Sequence, residues 1–243
     1  MSLDNIFGKP SMMKDIGGIF PIRVKQWEKF QTYLPVLMMS KKQIELDSDE
    51  DLPLLHLLVL GLQSDEINNI LCTVFNTITR TESFKLELKS DTYFFVNNKG
   101  QKVTPDNYED IRKIVLHQNI IFEPKVYKNK MMQEWAEKVL EARSKNSANI
   151  DFEDMITTIA ALSGKHYKDL EEYTVYQLRA EFARWNKIKE YDSTSILYAN
   201  PHIASEIKLD HFAEMLDLYK DPYADVFKSN NTSKLNKAFS NAK

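Results

Sequence analysis

Apolar residues recur every three or four positions over most of this chain, a spacing that predicts amphipathic helices. Trp27, Phe30, Leu34 and Leu37 follow it, with Pro35 expected to bend or end that helix. The run LPLLHLLVLGL, Leu52 to Leu62, reads as a buried helix, too short to cross a bilayer. Ser64 is the expected N-cap of the next helix, with Asp65 and Glu66 in its first turn and Ile67, Ile70, Leu71, Val74 and Ile78 on one side. The pattern then changes period. FKLELKS alternates apolar and polar residues, TYFFVN is aromatic and β-branched, and NNKG is a turn before a third short strand. A small antiparallel sheet is therefore expected from Phe84 to about Val103.

Helical spacing returns at Tyr108, Ile111, Ile114 and Val115, behind an expected capping box of Asp106 and Glu109. Met132, Trp135, Val139 and Leu140 mark another helix, and Phe152, Met155, Ile156, Ile159 and Leu162 a further one behind an Asp151 cap. Gly164 falls where a left-handed residue ends a helix. In TVYQ, the Thr174 hydroxyl and Gln177 amide form a second expected capping box. The helix it opens carries Leu178, Phe182, Trp185 and Ile188 and runs to about Tyr198. The first eighteen residues show no period and read as an irregular arm. The expected fold class is mainly α with one small antiparallel β-hairpin or three-stranded sheet, a helix-dominated α+β protein.

The expected division is an N-terminal helical domain with the sheet (1–128), a C-terminal helical domain (129–228) and a flexible tail (229–243). The polar run SKNSAN, residues 144–149, is a candidate boundary. Residues 41–66 hold seven acids against two lysines, read as a solvated connector because a calcium loop's Gly and spacing are missing.

Composition removes several function classes. The chain has 32 basic and 35 acidic side chains among 243 residues, so no global positive field is available to hold nucleic acid. Its single cysteine, Cys72, excludes a disulfide framework and fits a packed core thiol better than a nucleophile. The opening MSLDNIFGKP lacks a basic stretch followed by an apolar run, so no export signal is expected. The five histidines, His56, His117, His166, His202 and His211, show no HxxxH spacing. Phosphate-cradling glycine loops and the GxSxG elbow are missing. No catalytic, cofactor or metal residues are assigned, and the protein is expected to be no enzyme. QLRAEFARWNKIKE, with Arg179, Arg184, Lys187 and Lys189, could serve as a DNA recognition helix, but Glu181 and Glu190 interrupt its charge.

One resemblance adds to this. The stretch from Phe152 to Trp185 resembles a recurrent ending of tailed-bacteriophage tail assembly chaperones: a helix, a Gly turn, a short Glu-bearing helix, then a Thr capping a last helix. Gly164, Leu170, Thr174, Gln177 and Leu178 match it. IGGIFPIRVKQWEKFQTYLPVLMMSKKQI, with the acidic loop and Leu-rich helix behind it, is similar to proteins encoded among the tail and baseplate genes of phages of Gram-positive bacteria. The two cover about half the chain. The mid-chain hairpin departs from the chaperone pattern. The resemblance implies a non-enzymatic tail or baseplate assembly protein that binds a tape-measure or hub component through apolar helical surface. A structural component retained in the virion and a DNA-binding regulator are the alternatives. It implies a place in the host cytoplasm, or in the tail or baseplate if retained. Self-association is left open; membrane and nucleic acid are disfavoured partners. The methionine pairs Met12 and Met13, Met38 and Met39, and Met131 and Met132 are the candidate partner-binding residues, since methionine surfaces adapt to varied apolar partners.

Overall fold

The computed structural model describes residues 3–41, 43–44, 52–89, 92–127, 129–145, 150–202 and 204–220. Most of the acidic connector, residues 146–149 of the polar run and the tail from 221 onward lie outside these. Two units divide the chain: residues 1–121 with 152–218, and residues 122–151 with 219–243. The helices between residues 152 and 198 therefore group with the N-terminal elements, while residues 130–145 of the expected C-terminal domain fall in the smaller unit, a different partition from the sequence-based break at 128.

The helix-dominated α+β class holds. In the larger unit the chain begins with α1 (Leu3–Ile6), β1 (Ser11–Met13) and β2 (Gly17–Ile19). The latter two pair antiparallel, Ser11 opposite Ile19. The irregular arm expected over the first eighteen residues is thus corrected: strands of three residues are too short to show a period in sequence. Gly17 supplies a φ of +78° at the turn, and Ile16 and Ile19 are fully buried. Side chains from far along the chain fasten this hairpin. Gln118 Nε2 donates to Ile19 O at 3.1 Å, and Gln101 Nε2 donates to Ile16 O.

Next come α2 (Val24–Gln31) and α3 (Leu34–Met38), broken where Pro35 enters the first turn of α3. After α4 (Leu54–His56) and a π-helical stretch (Leu57–Gly61), Ser64 caps α5 (Asp65–Thr79) by accepting from Ile67 N–H. The three-stranded sheet follows as β3 (Lys85–Lys89), β4 (Thr92–Val96) and β5 (Lys102–Val103), all antiparallel, with Leu86 opposite Phe95. Leu88 is 56% exposed despite sharing a strand face with Phe84 and Leu86. Helix α6 (Tyr108–Gln118) starts at Asn107, correcting the Asp106 cap. The Asn107 side chain instead holds the preceding turn, accepting from Thr104 N–H and donating to Lys102 O.

The main core joins α4, α5, α6 and the sheet. Phe75 is its hub, with ring contacts to Phe84, Phe95 and Tyr108 at 5.1–6.3 Å. A smaller cluster forms among α8 (Phe152–Ser163), α9 (Tyr167–Glu171) and α10 (Val175–Tyr198), centred on Ile159, Leu170 and Leu178 and closed by Val24 of α2. Leu162, expected inward on α8, is exposed. Trp27 touches Phe152 at 5.3 Å between ring centroids, so α2 belongs to both clusters. Within the smaller unit, α7 (Lys130–Lys145) buries Ala136 and leaves Met131 exposed.

Candidate functional site

The start of α10 is fixed by three independent contacts. Thr174 is its N-cap: its hydroxyl accepts from Gln177 N–H at 3.1 Å, and Gln177 Oε1 accepts from Thr174 N–H at 2.8 Å. The backbone on either side pairs with the chain leading into α2, Val24 N–H donating to Tyr173 O and Val175 N–H to Ile22 O. Gln177 Nε2 then donates to Ile6 O at 2.7 Å, which brings α1 across the first turn of α10. Gly8, at φ +62°, lets the chain pass close to Thr174; a Cβ there would meet Thr174 Cγ2 at 3.1 Å. Gly164 ends α8 at φ +70°, its N–H donating to Ala160 O. These residues are occupied in building shape.

That shape is a groove. Beside α10 lies a cleft of about 510 Å³, with Tyr173, Tyr176 and Ala180 on one wall, Met215, Leu216 and Leu218 on the other, and Ile6 on the rim. The second wall is held to α10 by Arg184, whose guanidinium donates to Phe212 O and Glu214 O, and by the Tyr191–Phe212 ring contact at 5.4 Å. Met215 is 83% exposed, and Leu3, Ile6 and Phe7 of the adjacent α1 segment are exposed as well. Apolar surface gathered around an apolar cleft marks an interaction site more often than scattered single residues do.

Charge at the groove is mostly neutralised. Lys165 Nζ lies 2.5 Å from Glu181 Oε1 and over the Tyr173 ring. Burial works against the Lys165 ammonium, but hydrogen bonds to Glu181 and Tyr173 outweigh it and raise its pKa. Burial pushes the Tyr176 phenol up. The cations of the supposed recognition helix are similarly engaged. Arg179 donates to Asn119 O and Ile120 O and lies over Trp27, and burial lowers its pKa. Lys187 pairs with Glu190, and Lys189 with Asp192. Arg179 and Arg184 are thus turned to main-chain carbonyls of their own fold, while Lys189 is exposed beside Asp192.

The methionine pairs sit on three separate elements. Met12 and Met13 are on β1, the first 77% exposed and the second packed on the core; Met38 and Met39 close α3, where Met39 also packs on the core. Met131 and Met132 are on α7, in the other unit. The groove residues were missed because Tyr173, Tyr176 and Ala180 fall off the Leu178–Phe182–Trp185 stripe, and HFAEMLDLY shows no period. Cys72 is half-buried, and burial raises its pKa against a hydrogen bond with the Leu86 backbone. His166 is exposed at the α9 N-cap and His211 stacks on Phe212 at 4.5 Å. Among the described residues no group of three His, Cys, Asp or Glu could hold a metal ion, and no helix is long and apolar enough to cross a membrane.

Residues 143–217 match the profile of the family described as YomV second domain. Over 219 residues the chain is 24% identical to the SPbeta prophage-derived uncharacterized protein YomV of Bacillus subtilis (strain 168), covering 88% of each. No solved structure matches. These likenesses relate the chain to phage-derived proteins and say nothing of a tail or baseplate. The matched stretch contains α8 to α10 and both groove walls as far as Leu216, while Ile6 comes from outside it.

Proposed function

We propose that the protein acts without catalysis in assembling a phage tail or baseplate, by binding another phage protein in the groove along α10. The observation that supports this is the 510 Å³ apolar cleft with unburied Ile6 and Met215 at its edge. Removing such surface from water on a partner is the main favourable term in protein association. A tape-measure or hub component is the expected partner, and its docking element is a helix laid into the groove through apolar side chains one turn apart. The likeness to a prophage-derived protein supports the phage setting.

Deleting the gene from the phage that encodes the protein tests the assembly role. Electron microscopy of the lysate should show capsids with few completed tails. Normal numbers of complete particles would overturn it. Mass spectrometry of purified particles then separates a transient assembly factor, missing from the virion, from a retained component.

A further inference from the structure

Helices α2 and α5 face each other across a cavity of about 260 Å³, none of whose lining residues borders the groove along α10. Its α2 wall carries Lys25, Gln26, Lys29 and Phe30, continued by Tyr33, and its α5 wall carries Thr73 and Thr77. Residues three and four apart share a helix face, which puts Arg80, the left-handed C-cap of α5, next along the row from Thr73 and Thr77.

Cations on this face outnumber the carboxylates that reach them. Glu172 takes Arg23 on one carboxylate oxygen and Lys25 on the other. The hydrogen bond from Lys25, with the charges of Arg23 and Arg80, holds the Glu172 carboxyl below its usual range. Arg80 stacks over the Phe20 ring at 4.1 Å, and among the described residues its guanidinium has no hydrogen bond. Burial and the like charge of Arg23 lower the Arg80 pKa, and Glu172 does not make up the difference. Lys29 is exposed and has no ion-pair partner among the described residues. Glu28, the one acid of α2, does not line the cavity. Arg23, Lys25, Lys29 and Arg80 thus share the single carboxylate of Glu172.

The cavity also discriminates between anions. Its α2 side offers donors: the Lys25 and Lys29 ammoniums, the Tyr33 phenol and the Gln26 amide N–H, with Gln26 Oε1 already accepting from Arg23 N–H. Its α5 side offers acceptors, because Thr73 and Thr77 spend their hydroxyl protons on Asn69 O and Thr73 O. A phosphodiester brings acceptors alone and leaves the threonines unserved. A protein segment brings a carboxylate for α2 and a main-chain N–H for α5, and Phe30 gives its aliphatic carbons an apolar floor. We propose that this face binds an acidic segment of a partner protein. A Glu or Asp carboxylate lies against Lys25 and Lys29, the main-chain N–H turns to Thr77, and a neighbouring carboxylate meets Arg80.

The test uses the full chain and two fluorescein-labelled peptides, one alternating Ala with Glu and the other Ala with Gln, beside a labelled single-stranded DNA oligonucleotide as the phosphate probe. Fluorescence anisotropy should show the Glu peptide binding about tenfold tighter than the Gln peptide, and losing that advantage at high salt. Lys29→Glu should abolish the advantage, whereas Lys99→Glu, the same charge change at an exposed turn residue, should leave it intact. Thr77→Val removes the acceptor at nearly constant shape and should weaken the Glu peptide. Circular dichroism confirms the fold of each variant. No binding by the Glu peptide, equal binding of the two peptides, or equal weakening by Lys29→Glu and Lys99→Glu would overturn the site. DNA held more tightly than the Glu peptide and released by Lys29→Glu, or a Glu peptide indifferent to Thr77→Val, would overturn the assignment of a protein segment.

Discussion

Replacing Thr174 by Ala removes two things at once. The hydroxyl that accepts from Gln177 N–H at 3.1 Å is lost, leaving an orphan donor at the first turn of α10. A cap of this kind contributes about 1 kcal/mol. The Cγ2 methyl is lost too, at a side chain only 4% exposed, and burial of one such group stabilises by about 0.8 kcal/mol. The sum is about 2 kcal/mol. In a folding unit of this size it lowers Tm by about 4–8 °C. Thr174→Ser keeps the hydroxyl and should lose less than half as much. Gln177→Ala removes the return bond and the tie to Ile6 O, and combining it with Thr174→Ala should cost less than the two separately, because each half of the box orients the other. Urea unfolding followed by circular dichroism measures all four, as midpoint shifts at constant slope. If Thr174→Ala shifts stability by less than about 0.5 kcal/mol, the cap does not hold α10 and the account of this stretch is wrong.

Ile16→Ala should cost about 3 kcal/mol in the same assay, since the side chain is fully buried in the hairpin turn, and deleting residues 1–18 should destabilise more. Arg179→Lys should cost about 2 kcal/mol, because one ammonium cannot reproduce the guanidinium that serves two carbonyls and covers Trp27. Tyr108→Phe should stabilise by about 1 kcal/mol at neutral pH, as the buried hydroxyl has no hydrogen-bond partner among the described residues. Burial holds the Tyr108 pKa above its ordinary value of 10, so the folded state keeps a proton that the unfolded state releases. Stability should therefore fall above pH 10 by about 1.4 kcal/mol per unit, and Tyr108→Phe should remove that component.

The parts of this fold that depend on near neighbours in sequence could be read from it. Alternation over Lys85 to Val96 gave the hairpin, and Thr174 with Gln177 is a four-residue pattern now found at the start of α10. Pro35 marked the break between α2 and α3 because a missing N–H acts locally. The rest depends on long-range contacts. The first hairpin has strands of three residues, and it is held by Gln101 and Gln118, about a hundred positions away. The groove is assembled from α1, α10 and residues 215–218, none of which carries a periodic signal for it. Arg179 and Arg184 looked basic and free in sequence, yet both are directed to backbone carbonyls that no local pattern places nearby. Exposed apolar side chains such as Ile6 and Met215 can be told from core residues only once the fold is known.

The central claim is that the groove along α10 serves phage assembly, and a phage carrying Ala180→Arg tests it most directly. Ala180 is a half-buried helix position facing the cleft, and Arg is a good helix former, so the protein should fold and accumulate normally while its groove is filled. The account predicts normal protein levels and a sharp fall in completed tails counted by electron microscopy. Normal particle yield with the folded variant present would contradict it.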